Sequence, residues 1–109
     1  MGKFVITKKP CGKYQVILKS KAGNILLLSS EYTAKISCKK TIELLRIYSQ
    51  DADKYQKKTT VDWEFYFYLK SKNGQTIGTS PKYLSTFSRE QVIERIKKTA
   101  PLADVEDLS

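Results

Sequence analysis

Histidine does not occur in these 109 residues. That removes the commonest general base and the commonest zinc ligand together. Cysteine occurs only twice, as Cys11 and Cys38, and no metal-ligand spacing is present. None of the five glycines lies in a phosphate-cradling loop. No apolar run approaches the roughly 20 residues of a membrane span. The N-terminal MGKFVITKK has no apolar core of a secretory signal, and Ile6 stands where myristoylation wants Ser or Thr. These absences lead us to expect a cytoplasmic protein with reduced thiols, no membrane partner, no cofactor and no metal.

Hydrophobic residues make up 40% of the chain, enough for a core, and the formal charge is +9. A basic balance favours acidic partners, nucleic acid among them, and also keeps a small protein soluble. The lysine pairs at 8–9, 39–40, 57–58 and 97–98 are scattered, as on a solvated surface.

The heptads LKSKAGN (18–24) and LKSKNGQ (69–75) lie 51 positions apart. Sliding the chain by 51 aligns 3–53 with 54–104 without a gap. Leu18, Lys19, Ser20, Lys21, Gly23, Ser29, Tyr32, Ser37 and Ile42 each meet an identical residue. An internal repeat of this length governs the fold. We expect one domain, 1–109, built from repeat 1 (1–53) and repeat 2 plus a C-terminal strand (54–109).

Each copy reads as strand, strand, strand, helix. First strands fall at about 3–9 and 54–60, second strands at 13–20 and 64–71, third strands at 25–30 and 76–80. Tyr14, Val16 and Leu18, and Trp63, Phe65, Phe67 and Leu69, alternate onto a core face. Asn73-Gly74 suits a tight hairpin, and Ala22-Gly23 a type I turn with a left-handed glycine. Ser37 and Ser88 are the expected helix N-caps, Ser88 with Gln91 at capping-box spacing. Cys38, Ile42 and Leu45 share one helical face, as do Val92, Ile93, Ile96 and Ala100. Cys38 thereby reads as a buried structural thiol. The expected fold is α+β: a tandem repeat of β-β-β-α units forming one antiparallel sheet. Both helices cover one face, and the residual VEDLS completes the sheet.

The stretches KYQVILKSKAGNILLLSSEYTAKIS (13–37) and EFYFYLKSKNGQTIGTSPKYLSTFS (64–88) resemble the YegP-like family, whose function is unknown. The resemblance spans essentially the whole chain, twice. It rests on aromatic-x-aromatic, Leu-Lys, a Gly turn, Ser, Tyr and a helix-opening Ser. It implies β-β-β-α-β units in one sheet with exchanged C-terminal strands, and it carries over no catalytic residue. The family's mid-helix Gly is here Thr41 and Val92, and its Ser-Lys before the helix is Ala34-Lys35 and Ser85-Thr86.

A sheet face uncovered by helices should be mostly polar. The opposite parity here carries Ile17, Ile25, Leu27, Tyr66 and Tyr68, beside Lys13, Lys19 and Lys70. Cross-strand packing on a solvated sheet is one reading of that pattern. A partner surface is the other, made of Ile17, Ile25, Leu27, Tyr66, Tyr68, Lys19 and Lys70. Ile47, apolar outside the core stripe of the first helix, is a further candidate. Tyrosines beside lysines also suit stacking on single-stranded nucleic acid, although no RNA-binding signature is present. Glu31, Glu43 and Glu94 read as surface charges; Glu43 and Glu94 precede basic residues at helical ion-pair spacing.

The sequence therefore points to a non-enzymatic interaction module that binds a macromolecule through its open sheet face. A protein partner is favoured and single-stranded nucleic acid is the alternative. The chain is expected as a monomer or weak homodimer.

Overall fold

The computed structural model of the chain describes residues 2–109. In order the elements are β1 (Lys3–Lys8), β2 (Tyr14–Lys19), β3 (Ile25–Leu28) and α1 (Lys35–Tyr48). A 3-10 turn (Ala52–Lys54) then leads into β4 (Tyr55–Thr59), β5 (Phe65–Lys70), β6 (Thr76–Thr79), α2 (Thr86–Thr99) and β7 (Asp104–Asp107). They make one mixed α+β fold. Seven strands form a single sheet in the order β4-β5-β6-β3-β2-β1-β7.

Both helices lie on one face. Cys38, Ile42 and Leu45 of α1 and Ile93 and Ile96 of α2 share a single core with Phe4, Ile6, Val16, Leu18, Phe67 and Leu69. Each of those strand residues has its strand neighbours pointing the other way, so the sheet has one covered and one open face. Cys38 is buried as expected, and burial pushes its thiol pKa up.

The sheet is not wholly antiparallel. β7 runs parallel to β1, Phe4 opposite Val105, while the other pairs are antiparallel. The antiparallel neighbours within each half are hairpins, whose turns dictate direction. β7 reaches β1 by way of α2, so no turn forces it antiparallel.

The N-caps lie three residues before the expected ones. Ala34 and Ser85 are the N-caps, and the Ser85 hydroxyl accepts from the Ser88 amide. Ser37 and Ser88 thus sit inside the first turn, and the Ser88–Gln91 spacing closes no box. The mid-helix departures from the family pattern also have partners. Thr41 is buried and donates to the Tyr32 hydroxyl at 2.9 Å, and Val92 packs on the core.

The two heptad turns share one geometry. The Gly23 amide donates to Ser20 and the Gly74 amide to Ser71, both glycines at positive φ. Asn73 stays at negative φ, so Asn73-Gly74 is not the two-residue type that needs both central residues left-handed. The first hairpins match each other as well, but in them Gly12 (φ 89°) is answered by Trp63 (φ 62°). Trp63 is 75% exposed rather than in the core, because it occupies the turn between Thr60 and Glu64, before β5 begins.

β-Bulges on β3 and β6 set the parity of the middle of the sheet. Leu18 faces Leu27 but Lys19 faces Ile25, which leaves Leu26 as the extra residue. Leu69 faces Gly78 but Lys70 faces Thr76, leaving Ile77 extra. A bulge places two residues opposite one, and here both Leu26 and Leu27 turn into the core.

Candidate partner-binding face

Leu27 therefore leaves the expected site. It is 1% exposed and lies under the helices. Ile47, the separate candidate on α1, is exposed and lies on the helix side of the sheet, away from the open face. Leu44 and Tyr48, its apolar neighbours on α1, pack against the core. The remaining candidates stay on strand positions of the open face. Ile17, Lys19, Tyr66, Tyr68 and Lys70 are half-buried there, and Ile25 is exposed.

One row of side chains crosses all seven strands on that face. From one edge to the other it runs Glu106, Val5, Ile17, Leu28, Thr79, Tyr68, Gln56, each opposite the next. Val5, Ile17 and Leu28 make an aliphatic stretch. Val5 is 2% exposed although its strand position faces away from the helices. The second half is polar and aromatic. Val5, Leu28, Thr79 and Gln56 escaped the sequence reading. Ile25 to Leu28 are four apolar residues in succession, so no alternation reveals which of them face out once a bulge intervenes.

Tyr66 and Tyr68 supply the aromatic part of the face. Tyr66 and Tyr68 pack edge to face with ring centroids 5.4 Å apart. The Lys70 ammonium lies 5.3 Å from the Tyr68 ring centroid and donates to the Thr76 hydroxyl at 2.7 Å. The Tyr66 hydroxyl beside Tyr68 favours the protonated phenol and raises its pKa, with burial adding to it and Lys58 and Lys70 opposing it. At the far edge Lys3 pairs with Glu106. Among the described residues, no carboxylate reaches ion-pair distance of Lys19, Lys58 or Lys70. The face thus offers a central aliphatic strip, an aromatic step and uncompensated positive charge at its margin.

The carboxylates Glu31, Glu43 and Glu94 sit elsewhere. Glu31 pairs with Lys9, and that hydrogen bond and charge hold its pKa below the ordinary carboxylate value. Glu94 pairs with Lys97, and Glu43 lies 3.7 Å from Arg46 with its own side chain 71% exposed. A general acid needs the opposite environment. A depression of about 510 Å³ along α2 is lined by Phe87, Glu90, Gln91, Glu94, Arg95, Lys98 and Thr99, and it is open to solvent. Among the described residues no three His, Cys, Asp or Glu side chains are grouped to hold a metal ion, and no helix is long and apolar enough to cross a membrane.

Comparison with known proteins places this architecture. Residues 62–107 match the family described as Domain of unknown function (DUF1508). UPF0339 protein YegP of Escherichia coli K12 is 36% identical over 106 residues, covering 97% of this chain and 96% of its own. A UPF0339 protein of Acinetobacter baylyi is 36% identical over 108 residues, covering 99% and 97%. The solution structure of E. coli YegP, titled a protein of unknown function, superposes with a TM-score of 0.93 at 36% identity, covering 98% of this chain and 92% of that one. That of a UPF0339 protein from Shewanella oneidensis also superposes at 0.93, with 30% identity and coverage of 98% and 91%. With near-complete coverage in both sequence and structure, the chain belongs to the uncharacterised UPF0339 family of YegP.

Proposed function

We propose that the protein is a non-enzymatic interaction module whose open sheet face binds a protein partner. The row Val5–Ile17–Leu28–Thr79–Tyr68 carries this reading, because it sets aliphatic and aromatic side chains where no helix covers the sheet. Cross-strand packing alone accounts for Val5, which is sealed. It accounts less well for Tyr66, Tyr68 and Ile25, whose rings and methyls remain in contact with water. The same reading takes the chain as one duplicated domain, 1–53 and 54–109, a monomer or weak homodimer in the cytoplasm. It gives the lysines at the margin the work of steering an acidic partner surface.

A photo-crosslinking amino acid at Ile17 or Tyr68 should yield discrete adducts in cells, while the same group at Ile47 should not. Equal labelling from Ile47, or none from Ile17 and Tyr68, removes the reading.

Tyr66 and Tyr68 with Lys58 and Lys70 favour a second reading, stacking on single-stranded nucleic acid. Fluorescence anisotropy with labelled single-stranded RNA and DNA separates the two. Binding at physiological salt that is lost in Tyr66→Ala/Tyr68→Ala supports stacking. Binding only at low salt, indifferent to both tyrosines, is the general attraction of a basic chain for phosphate and leaves the protein partner.

A further inference from the structure

The outer edges of the sheet are unequal. β1 and β4 are counterparts 51 residues apart, and each pairs with the next strand through the same register. β7 lies along the outer edge of β1. The segment that follows α1, where a counterpart of β7 would begin, is β4 itself. Among the described residues no strand lies beyond β4.

The hydrogen-bonding groups on that edge can be assigned. Thr60 donates to Glu64 at the end of the β4–β5 hairpin, and antiparallel bonding alternates, so Lys58 and Gln56 face β5. Lys57 and Thr59 then turn their N–H and C=O groups outward, as Tyr55 does its C=O; the Tyr55 N–H is held by Ala52. The same alternation on β1 turns Ile6 outward, and there the Leu108 amide donates to the Ile6 carbonyl at 2.9 Å. Lys57 is the counterpart of Ile6.

The seated strand shows what such an edge accepts. β7 reads Asp104-Val105-Glu106-Asp107. Glu106 pairs with Lys3 and Asp107 with Lys35, and Ala103 before it is buried. The counterpart of Lys3 is Lys54, and Lys57 and Lys58 follow it on β4. Lys57 is paired with Glu90, whereas Lys54 and Lys58 have no carboxylate within ion-pair distance among the described residues. Lysines on an edge repel another basic edge. The same charges leave an acidic strand admissible.

We infer that the outer edge of β4 is a docking site for an acidic extended segment of a protein partner, added parallel to β4 as an eighth strand. Main-chain hydrogen bonds to Lys57 and Thr59 supply the pairing, and Lys54 and Lys58 select acidic side chains. This site shares Lys58 with the margin of the open face, but its pairing rests on the outward main-chain groups of Lys57 and Thr59, so either can fail without the other.

The probe is a blocked peptide of residues 103–109 (ADVEDLS), titrated into the intact labelled chain and followed by amide NMR shifts. The chain's own β7 already fills β1, and the other free edge, that of β7, carries Asp104, Glu106 and Asp107, which repel an acidic peptide, so the edge open to it is that of β4. Expected are saturable shifts at the Lys57 and Thr59 amides at millimolar peptide or below. They should weaken at least fivefold in Lys54→Glu/Lys58→Glu and vanish with a peptide whose three acidic residues are lysines. A spin label on the peptide's N-terminus should broaden Tyr55 more than Thr59, as a parallel strand requires. Shifts confined to β1 or to the open face, broadening strongest at Thr59, or no shifts at all each overturn the proposal. An unchanged amide spectrum of the free variant rules out misfolding as the cause of a loss.

Discussion

Leu27 packs over Gly78, the residue 51 positions further along the chain. A Cβ built on Gly78 would lie 2.9 Å from Leu27 Cδ2 and 3.3 Å from a Leu45 methyl. The two meet near the middle of the sheet, where Leu28 faces Thr79 and the halves join. There is room for one leucine at that junction and not for two.

Leu27→Gly should cost about 3–5 kcal/mol, as deletion of a fully buried leucine does. Gly78→Leu should cost about 1–3 kcal/mol or more through overpacking. Exchanging the two residues in one chain should recover about 1–3 kcal/mol of the summed loss, since Leu27→Gly vacates the space that a leucine at position 78 fills. Urea unfolding of the four proteins measures the coupling. Strict additivity would mean that the two side chains do not compete.

Trp63 is the one non-glycine residue at positive φ among the described residues, in the turn position that Gly12 holds in the first half. A left-handed non-glycine residue costs about 1–2 kcal/mol, and a side chain 75% exposed recovers little of it. Trp63→Gly should therefore stabilise the fold by about 0.5–1 kcal/mol, after the entropy that glycine adds to the unfolded chain. A lower denaturation midpoint would show that the indole makes contacts outweighing the strain, and would point to that ring as functional.

Tyr55 is buried, meets Phe67 edge to face and donates its hydroxyl to the Ser49 carbonyl at 2.8 Å. Burial raises its pKa above the ordinary value of 10.0, with Glu94 adding to it. Stability tied to the neutral phenol is whole below that value. It is lost as pH rises beyond it, because the unfolded chain ionises there and the folded chain resists. The urea midpoint should fall between pH 9 and pH 11, and Tyr55→Phe should flatten the fall while lowering stability at pH 7. An unchanged slope in the variant would assign the alkaline loss to other groups.

Asp107 responds at the other end of the scale. Hydrogen bonds from Ser109 and Lys35 lower its pKa to about 2, from 3.8. A depressed carboxylate contributes stability above the unfolded value, and that stability disappears as pH falls from about 4 toward 2. Amide exchange in β7 should speed up over that interval before exchange in β2 does, and Asp107→Asn should remove the difference. Simultaneous loss in both strands would mean that β7 is not the weaker element.

The arrangement of elements was legible because alternation and helical periodicity recur at one offset. β2, β3 and α1 start 51 residues before β5, β6 and α2. The stripes Val16–Leu18 and Cys38–Ile42–Leu45 are buried as their spacing predicts. What the pattern hid was local geometry without a compositional mark. Bulges moved Leu27 inward and kept Leu28 out; a four-residue apolar run carries no parity. A tryptophan in a glycine's conformation reads as a core aromatic. Ser85 rather than Ser88 caps α2 because both serines satisfy the same composition rule. The direction of β7 depends on a crossover, which sequence spacing does not encode.

The pairing of β1 with β7 ties Lys3 to Asp104. During synthesis β1 leaves the ribosome before β7, and its outer edge stays open until residue 107 has emerged. Phe4 and Ile6 lie beside that edge throughout. A truncation or stalled chain ending after α2 would present an apolar strand with free main-chain groups, the surface that strand-pairing aggregation requires. Residues 104–107 therefore cover main-chain groups of β1 that the growing chain leaves exposed, in addition to what they contribute to the finished fold.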